Sequence, residues 1–332
     1  MSIATSYDLD VVVTRGSSIE SIHRVSAAVV QGDALVGYAR NPEHEAYWRS
    51  CAKPFQLMPF IESNGLDELG WGADEIALAC ASHGGEPEHV AIAERMLSDL
   101  GLEEGDLACG VAEPLAQRGQ RLLRDSGGRT TRLHNNCSGK HAAMLARAQM
   151  AQWPTAGYDS IAHPVQQSIL HEVERWTGVP HAAMKIARDG CGVPVFGLSL
   201  EAMARAFARF GAAIHAGDEI PRRIGDAMLA NPFLVGGTDR FDTVLMEEVP
   251  GIVCKIGAEG VHSAAIVANG IGLAIKVEDG ASRAQYPALL ALLQHLGAVP
   301  ASLPERLAEL ARKPVRDTRH EIVGEIAVRA MM

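Results

Sequence analysis

The chain has 332 residues, of which 47% are hydrophobic and 21% are charged, and its formal net charge is −10. This composition is ordinary for a folded protein, and an acidic chain without a basic block argues against nucleic acid and anionic membranes as partners. Apolar runs such as residues 288–293 are far shorter than a membrane span. Residues 1–8 lack the basic and apolar parts of a secretory signal, so we expect a cytoplasmic protein.

The chain opens with predicted strands and continues with predicted helices. Residues 9–15 predict a strand that ends in a glycine-serine turn, and residues 22–30 and 34–39 predict two more strands joined by a hairpin turn. From residue 53 onward the apolar period becomes helical. The predicted helices are residues 55–63, 73–81, 87–100, 117–126, 140–151, 163–177, 200–210 and 219–231.

Strands return after a glycine pair at residues 236–237. Residues 251–257, 261–267 and 273–277 predict strands, and residues 287–296 and 304–313 predict helices. This segregation of element types predicts an α+β fold with an antiparallel sheet flanked by helices and a helical subdomain. We expect residues 1–332 to form a single enzyme unit, with the α/β sheet part at about 1–50 and 235–332 and a mostly helical part, which carries the active-site loops, at 51–234.

The segment R-S-C-A-K-P-F at residues 49–55 places a serine three residues before a lysine. Positions i and i+3 of a helix share one face, and a desolvated lysine can act as the base for a serine hydroxyl. Because Pro54 is tolerated only near a helix start, we expect Ser50 at a helix N-terminus, where the dipole favours an oxyanion. The pattern predicts a nucleophile and base at Ser50 and Lys53, with a solvated pair as the alternative.

Four further loops place reactive residues next to glycine or proline. Their sequences are C-A-S-H-G-G-E at 80–86, N-N-C-S-G-K-H at 135–141, R-D-G-C-G-V-P at 188–194 and C-K-I-G-A-E-G at 254–260. Each loop alone is explained as an ordinary turn, a buried thiol or an edge lysine. Five such loops in one chain are hard to explain by packing alone and indicate a functional site.

These loops suggest two kinds of chemistry. The first is a Ser/Lys hydrolase, because Ser82 with Lys255 forms a second candidate pair and the K-I-G run at residues 255–257 is similar to the K-T-G strand of β-lactamases and penicillin-binding proteins. The second is a zinc site, because Cys137 and Cys191 supply two thiols. On the residues alone we favour His141 as the third zinc ligand, since a neutral imidazole is a commoner ligand than an amine.

Together the loops resemble the L-asparaginase II family of the rhizobial inducible, thermolabile type, the third structural class of L-asparaginases. The resemblance implies hydrolysis of L-asparagine to L-aspartate and ammonia, a fold similar to serine β-lactamases and glutaminases, and a homodimer. The matching segments run in order along nearly the whole chain, at residues 15–16, 49–54, 80–86, 135–141, 189–194, 236–242, 255–260 and 273–280.

The resemblance also implies roles for the serine and lysine residues. It makes Ser50 with Lys53 one catalytic tandem and Ser82 with a downstream lysine the other. We assign that lysine as Lys255, and Lys276 competes with it. We favour Ser50 as the nucleophile because its lysine partner is local.

Zinc in this family is held by two cysteines and a lysine, which corresponds to Cys137, Lys140 and Cys191 here. The resemblance therefore overrules His141 as a ligand and makes it a neighbour of the metal or the substrate. It also implies that Arg49 and Asp189 orient the substrate, with Asp189 suited to the α-ammonium group.

Three other functions compete with this interpretation. A glutaminase differs by one methylene in the substrate, a group that contributes only about 1–3 kcal/mol to discrimination. A β-lactamase-like D,D-peptidase is less favoured because no secretory signal is seen. A zinc-stabilised protein that binds an amino acid without turnover is the non-enzyme alternative.

Overall fold

A computed structural model of the protein describes residues 4–329. Residues 1–3, which belong to the N-terminal segment without a predicted secretory signal, lie outside this range. The strands are Thr5–Ser6 (β1), Val11–Arg15 (β2), Ser18–His23 (β3), Val25–Gln31 (β4), Ala34–Ala39 (β5), Glu45–Tyr47 (β6), Lys185–Arg188 (β7), Pro194–Ser199 (β8), Ile252–Ile256 (β9), Val261–Ile266 (β10), Ile271–Val277 (β11), Lys313–Arg316 (β12) and Ile322–Val328 (β13).

One α-helix lies at each predicted span, and three further helices lie at residues 65–69, 232–235 and 241–248, where the sequence predicted none. The α-helices are Lys53–Glu62 (α1), Gly65–Leu69 (α2), Ala73–Cys80 (α3), Pro87–Asp99 (α4), Gln117–Asp125 (α5), Ser138–Met150 (α6), Pro164–Thr177 (α7), Leu200–Ala216 (α8), Glu219–Ala230 (α9), Pro232–Val235 (α10), Phe241–Glu248 (α11), Ser282–His295 (α12) and Glu305–Ala311 (α13). Among these helices of residues 4–329, none combines the length and the apolar character of a membrane-spanning segment.

The prediction of one strand over residues 22–30 is wrong. The chain leaves one sheet after His23 and enters another at Val25, because β3 pairs with β2 whereas β4 pairs with β5 and β11. Residue alternation alone does not reveal a change of sheet, since both strands continue the same apolar pattern. The strands β1, β6, β7, β8, β12 and β13 are also absent from the sequence prediction.

The chain forms two compact units, each assembled from separate segments. The first contains the chain up to Cys51, Leu198–His215 and the chain from Val244 onward, and the second contains Ala52–Gly197 and Ala216–Thr243. The helix α8, which the sequence groups with the helical part, belongs almost entirely to the first unit. A buried helix between two helical segments cannot be assigned to a unit by its periodicity.

The first unit is built on two sheets. One has the strand order β1-β5-β4-β11-β10-β9 and is antiparallel except for the short parallel β1–β5 pair, and the other has the order β12-β13-β2-β3. Helix α12 packs on β11 and β13, and α8 packs so closely on β11 that a Cβ at Gly272 would lie 2.1 Å from the Ala204 carbonyl oxygen. The predicted α+β class with antiparallel sheets flanked by helices is confirmed.

The second unit is mostly helical. Helix α3 packs against α6 and α9, and α1 packs against α6 and α7. A Cβ at Gly139 would lie 2.5 Å from the Leu78 carbonyl oxygen, so only glycine lets the first turn of α6 approach α3 this closely. The hairpin of β7 and β8 completes the unit and carries residues 189–193 in its turn. The close contact between Gly139 and Leu78 places the start of α6 beside the end of α3.

Candidate active site

A buried lysine reaches the first serine after α3. Lys53 begins α1, where Pro54 is tolerated in the first turn, and its side chain is 1% exposed. Its Nζ donates to the Ala81 carbonyl and lies 3.3 Å from Ser82 Oγ and 3.3 Å from the Asn136 carbonyl oxygen. Three oxygens therefore surround the amine, and one of them is a serine hydroxyl that is itself buried.

The sequence paired Lys53 with Ser50, whereas the structure brings Lys53 to Ser82. Ser50 lies half-buried in the 3₁₀ turn Arg49–Ala52, directly before α1. Arg49, in the same turn, has a φ of +53°, a left-handed conformation that is uncommon for a residue other than glycine. The predicted position of Ser50 near a helix start is therefore observed, but its pairing stays a prediction.

The two lysines that compete to complete the second tandem lie on β9 and β11 of the six-stranded sheet, and β10 separates these two strands. Lys255 on β9 is fully buried and donates to the Ile256 carbonyl at 2.9 Å. Lys276 on β11 is half-buried and donates to the Glu259 carbonyl at 2.7 Å. Burial lowers the pKa of Lys276. The choice between these two lysines stays a prediction.

The loop after Ser82 is held by a buried carboxylate that the sequence analysis did not single out. Glu86 accepts hydrogen bonds from the backbone N–H and the hydroxyl of Thr238, both at 2.7 Å, and from Arg118 at 2.7 Å. Burial alone would raise the pKa of this carboxyl, but the bonds from Arg118 and Thr238 outweigh it and lower the pKa. Glu86 thus ties the Ser82 loop to residues 237–238. The glycine pair before Glu86 was the only signal in the sequence, and it does not name the partners.

A second link joins the Ser82 loop to the start of α6. His83 Nδ1 accepts the Gly85 N–H at 3.1 Å, so Nε2 carries the hydrogen and donates to Ser138 Oγ at 2.9 Å. Ser138 Oγ in turn donates to the Leu133 carbonyl at 3.0 Å. Burial lowers the pKa of His83 well below its ordinary value, which keeps the ring neutral.

The predicted zinc ligands meet in the second unit. Cys137 precedes α6 and Lys140 lies in its first turn, and Lys140 Nζ is 3.0 Å from Cys191 Sγ. The hydrogen bond between the two thiols, together with the nearby Lys140 charge, lowers the pKa of Cys191 to about 5. The same bond and burial raise the pKa of Cys137 to about 12. Two sulfurs and one amine nitrogen thus converge, and this donor set fits a tetrahedral zinc ion that keeps one open position.

Two further predicted residues stand beside this cluster. Asp189 Oδ2 lies 3.7 Å from Cys191 Sγ, and the carboxylate accepts the Gly190 N–H at 2.9 Å. His141 is fully buried, and its Nδ1 lies 2.6 Å from the hydroxyl of Tyr158. Burial and the Lys140 charge lower the pKa of His141 to about 3, so the ring is neutral. No pattern in the sequence pointed to Tyr158.

Residues 11–328 match the family described as L-asparaginase II. The chain belongs to the L-asparaginase II family. It is therefore an amidohydrolase of the asparaginase type, and its substrate is a small molecule. No curated protein matched the chain.

Solved structures also resemble this L-asparaginase II family member. A probable glutaminase from Bacillus subtilis, complexed with 6-diazo-5-oxo-L-norleucine, is 11% identical over 82% of this chain and 84% of its own, with a TM-score of 0.38. A β-lactamase from Mycobacterium bovis is 10% identical over 83% of this chain and 95% of its own, with a TM-score of 0.37.

Proposed function

We propose that this protein is an L-asparaginase that hydrolyses L-asparagine to L-aspartate and ammonia with a Ser/Lys pair beside a zinc site. The observation that carries the proposal is the buried approach of Lys53 Nζ to Ser82 Oγ at 3.3 Å in a chain that belongs to the L-asparaginase II family. A serine hydroxyl needs such a base to attack an amide.

The proposed chemistry uses Ser82 as the nucleophile and Lys53 as the base. Lys53, as the neutral amine, takes the hydroxyl proton while Ser82 Oγ bonds to the carbon of the side-chain amide. The proton then passes to the departing nitrogen, the C–N bond breaks and ammonia leaves. A water molecule, deprotonated by Lys53, cleaves the ester, releases L-aspartate and restores the serine.

This assignment differs from the one that the sequence favoured. The sequence favoured Ser50 as nucleophile because Lys53 is close to it along the chain, whereas the contact between Lys53 and Ser82 supports Ser82. Ser50 with Lys53, and Ser82 with Lys255 or Lys276, are the competing assignments. Arg49 and Asp189 are proposed to orient the substrate, with Asp189 binding the α-ammonium group.

Zinc is part of the proposal, and Cys137, Lys140 and Cys191 would hold it. When bound, the ion would supply a Lewis-acidic centre that anchors a substrate oxygen. Lys140 would have to bind as the neutral amine and both cysteines as thiolates. The proposal includes the homodimer that the resemblance implies and a cytoplasmic location.

Ammonia release from L-asparagine and L-glutamine tests the proposed function. If rigid loops hold the α-amino and α-carboxylate groups, one more methylene moves the amide carbon away from Ser82. Such a misplacement can cost about 10²-fold in rate, in addition to roughly 10- to 200-fold for a methylene in a pocket. We therefore expect a kcat/KM ratio on the order of 10³ or more in favour of asparagine.

Each other outcome of this assay identifies a different function. Comparable values for the two amides would make the protein a glutaminase-asparaginase. Stoichiometric binding of L-asparagine without ammonia release would make it a binding protein.

A further inference from the structure

Tyr158 is a buried tyrosine that contacts His141, the histidine that the sequence first suggested as a zinc ligand. The Tyr158 side chain is enclosed, and its hydroxyl lies 2.6 Å from His141 Nδ1 and 2.8 Å from the backbone nitrogen of Ala108. Gln166 holds the Tyr158 backbone by donating to its carbonyl at 2.8 Å. The hydroxyl is thus fixed between one backbone amide and one imidazole nitrogen.

One arrangement of the hydrogen atoms gives a donor and an acceptor to each of the two contacts that the Tyr158 hydroxyl makes, with Ala108 and with His141. The Ala108 amide can only donate, so the Tyr158 oxygen accepts from it. The phenolic hydrogen then points to His141 Nδ1, which must accept it with its lone pair. A neutral imidazole that accepts at Nδ1 carries its hydrogen at Nε2. The other tautomer would leave the phenolic hydrogen without an acceptor in a buried position.

In this tautomer the Nε2–H group of His141 is a hydrogen-bond donor that needs an acceptor. His141 Nε2 is buried and has no hydrogen-bond partner among residues 4–329. Buried polar groups are nearly always paired in native proteins, and an exception calls for an explanation such as a ligand. His141 directly follows the proposed zinc ligand Lys140 in the first turn of α6, so its ring belongs to the segment that carries the proposed zinc ligands.

We propose that Tyr158 is a positioning residue that holds His141 as its Nε2–H tautomer, so that the imidazole donates a hydrogen bond to an oxygen of the bound substrate. Within the proposed function, that oxygen belongs to a carboxylate or to the amide of an amino acid. The same tautomer prevents His141 from ligating zinc, because Nε2 then offers no lone pair and Nδ1 is occupied by Tyr158. Lys140 is left as the nitrogen donor beside the two cysteines.

The tautomer can be read directly by long-range ¹H–¹⁵N NMR of the histidine rings in the full-length, zinc-loaded protein, with His141→Gln to assign the signal. We expect a protonated Nε2 and an unprotonated Nδ1 at His141 in the parent. We expect a mixture of tautomers in Tyr158→Phe, and a shift of the Nε2–H proton when L-aspartate is added to the parent. A parent ring protonated at Nδ1, or an Nε2–H signal unmoved by both Tyr158→Phe and L-aspartate, would overturn the proposal.

A double-mutant cycle tests whether Tyr158 acts through His141. By analogy with the residues that orient metal-bound histidines, whose loss costs about 10- to 100-fold, we expect Tyr158→Phe to lower kcat/KM for L-asparagine by about that factor. The His141→Gln side chain keeps an N–H donor close to the former Nε2 position but no longer needs the phenol. In that background Tyr158→Phe should have less than roughly threefold effect, since residues that act in series are not additive.

A matched control separates the hydroxyl from the packing of the tyrosine. Gln166→Leu removes the hydrogen bond to the Tyr158 backbone but leaves the phenol, and it should lower kcat/KM less than Tyr158→Phe. Equal losses in the two variants, or additive losses in the cycle, would show a merely structural role. If L-asparagine is not hydrolysed at all, the proposed function fails, whereas the ring signal of the free protein still decides whether Tyr158 sets the tautomer.

Discussion

Lys53 is the side chain on which the proposed chemistry depends, and it is also the residue whose partner the sequence and the structure name differently. Lys53→Met removes the base and keeps a side chain of similar length in a buried position. We expect kcat/KM for L-asparagine to fall by about 10² to 10⁴, the usual range for a general base. A value within roughly threefold of the parent would exclude this role, because it is far below that range.

The two serines can be separated in the same assay. If the contact between Lys53 and Ser82 identifies the nucleophile, Ser82→Ala loses turnover as severely as Lys53→Met, and Ser50→Ala keeps more of it. The opposite order would restore Ser50, which the sequence favoured because i and i+3 positions share a helix face. Circular dichroism of both variants shows whether the fold is kept.

The zinc ligands are likewise a prediction about single side chains. Cys137→Ala and Cys191→Ala each remove one of three donors, and an incomplete set loses metal-binding free energy. We expect both purified variants to contain clearly less than one zinc ion per chain by elemental analysis, and to unfold more easily than the zinc-loaded parent. Cys109→Ala is the matched control, because Cys109 is also buried and burial raises the pKa of its thiol to about 12. Full zinc in both ligand variants would contradict the assignment.

At the scale of elements, the loop between α3 and α4 is tied down by Glu86, and this contact makes stability depend on pH. The pKa of Glu86 is lowered in the folded state from its ordinary value of 4.5. Its contribution to the free energy of unfolding is therefore present above pH 4.5 and is lost as the pH falls through the lower, folded-state pKa. We expect Glu86→Gln to cost about 1.5–3 kcal/mol at neutral pH, the range for hydrogen bonds to a charged group.

Urea unfolding at neutral pH and at several acidic values measures this difference. The stability gap between the parent and Glu86→Gln should narrow as the pH falls below 4.5. Glu88→Gln is the control, because Glu88 also binds Arg118 but its side chain is 45% exposed, and exposed ion pairs contribute little. A gap that does not change with pH would show that Glu86 acts through packing and not through its charge.

The whole molecule is assembled discontinuously, and this limits what can be assigned from the order of the elements. The chain crosses between the two compact units near residues 51, 197, 215 and 243. The helix α8 has the same apolar periodicity as its neighbours along the chain, yet it packs on β11, where Gly272 leaves room for it. The unit to which a helix belongs depends on the surface on which the helix packs. For α8 that surface includes β11, which lies about seventy residues later in the chain.

The sequence by itself determined most helices of the middle region, the return of strands after residue 250, the α+β class and the family, because apolar periods and short loop motifs are local properties of the chain. It also named residues that meet in the structure, including Lys53 with Ser82 and Lys140 with Cys191, although it did not pair the first two. Only the tertiary structure decided that Lys53 reaches Ser82, that β3 and β4 lie in different sheets and that Tyr158 stands behind His141. Each of these features depends on contacts between residues on different elements of the chain. A spacing rule such as i and i+3 describes only neighbours on one element.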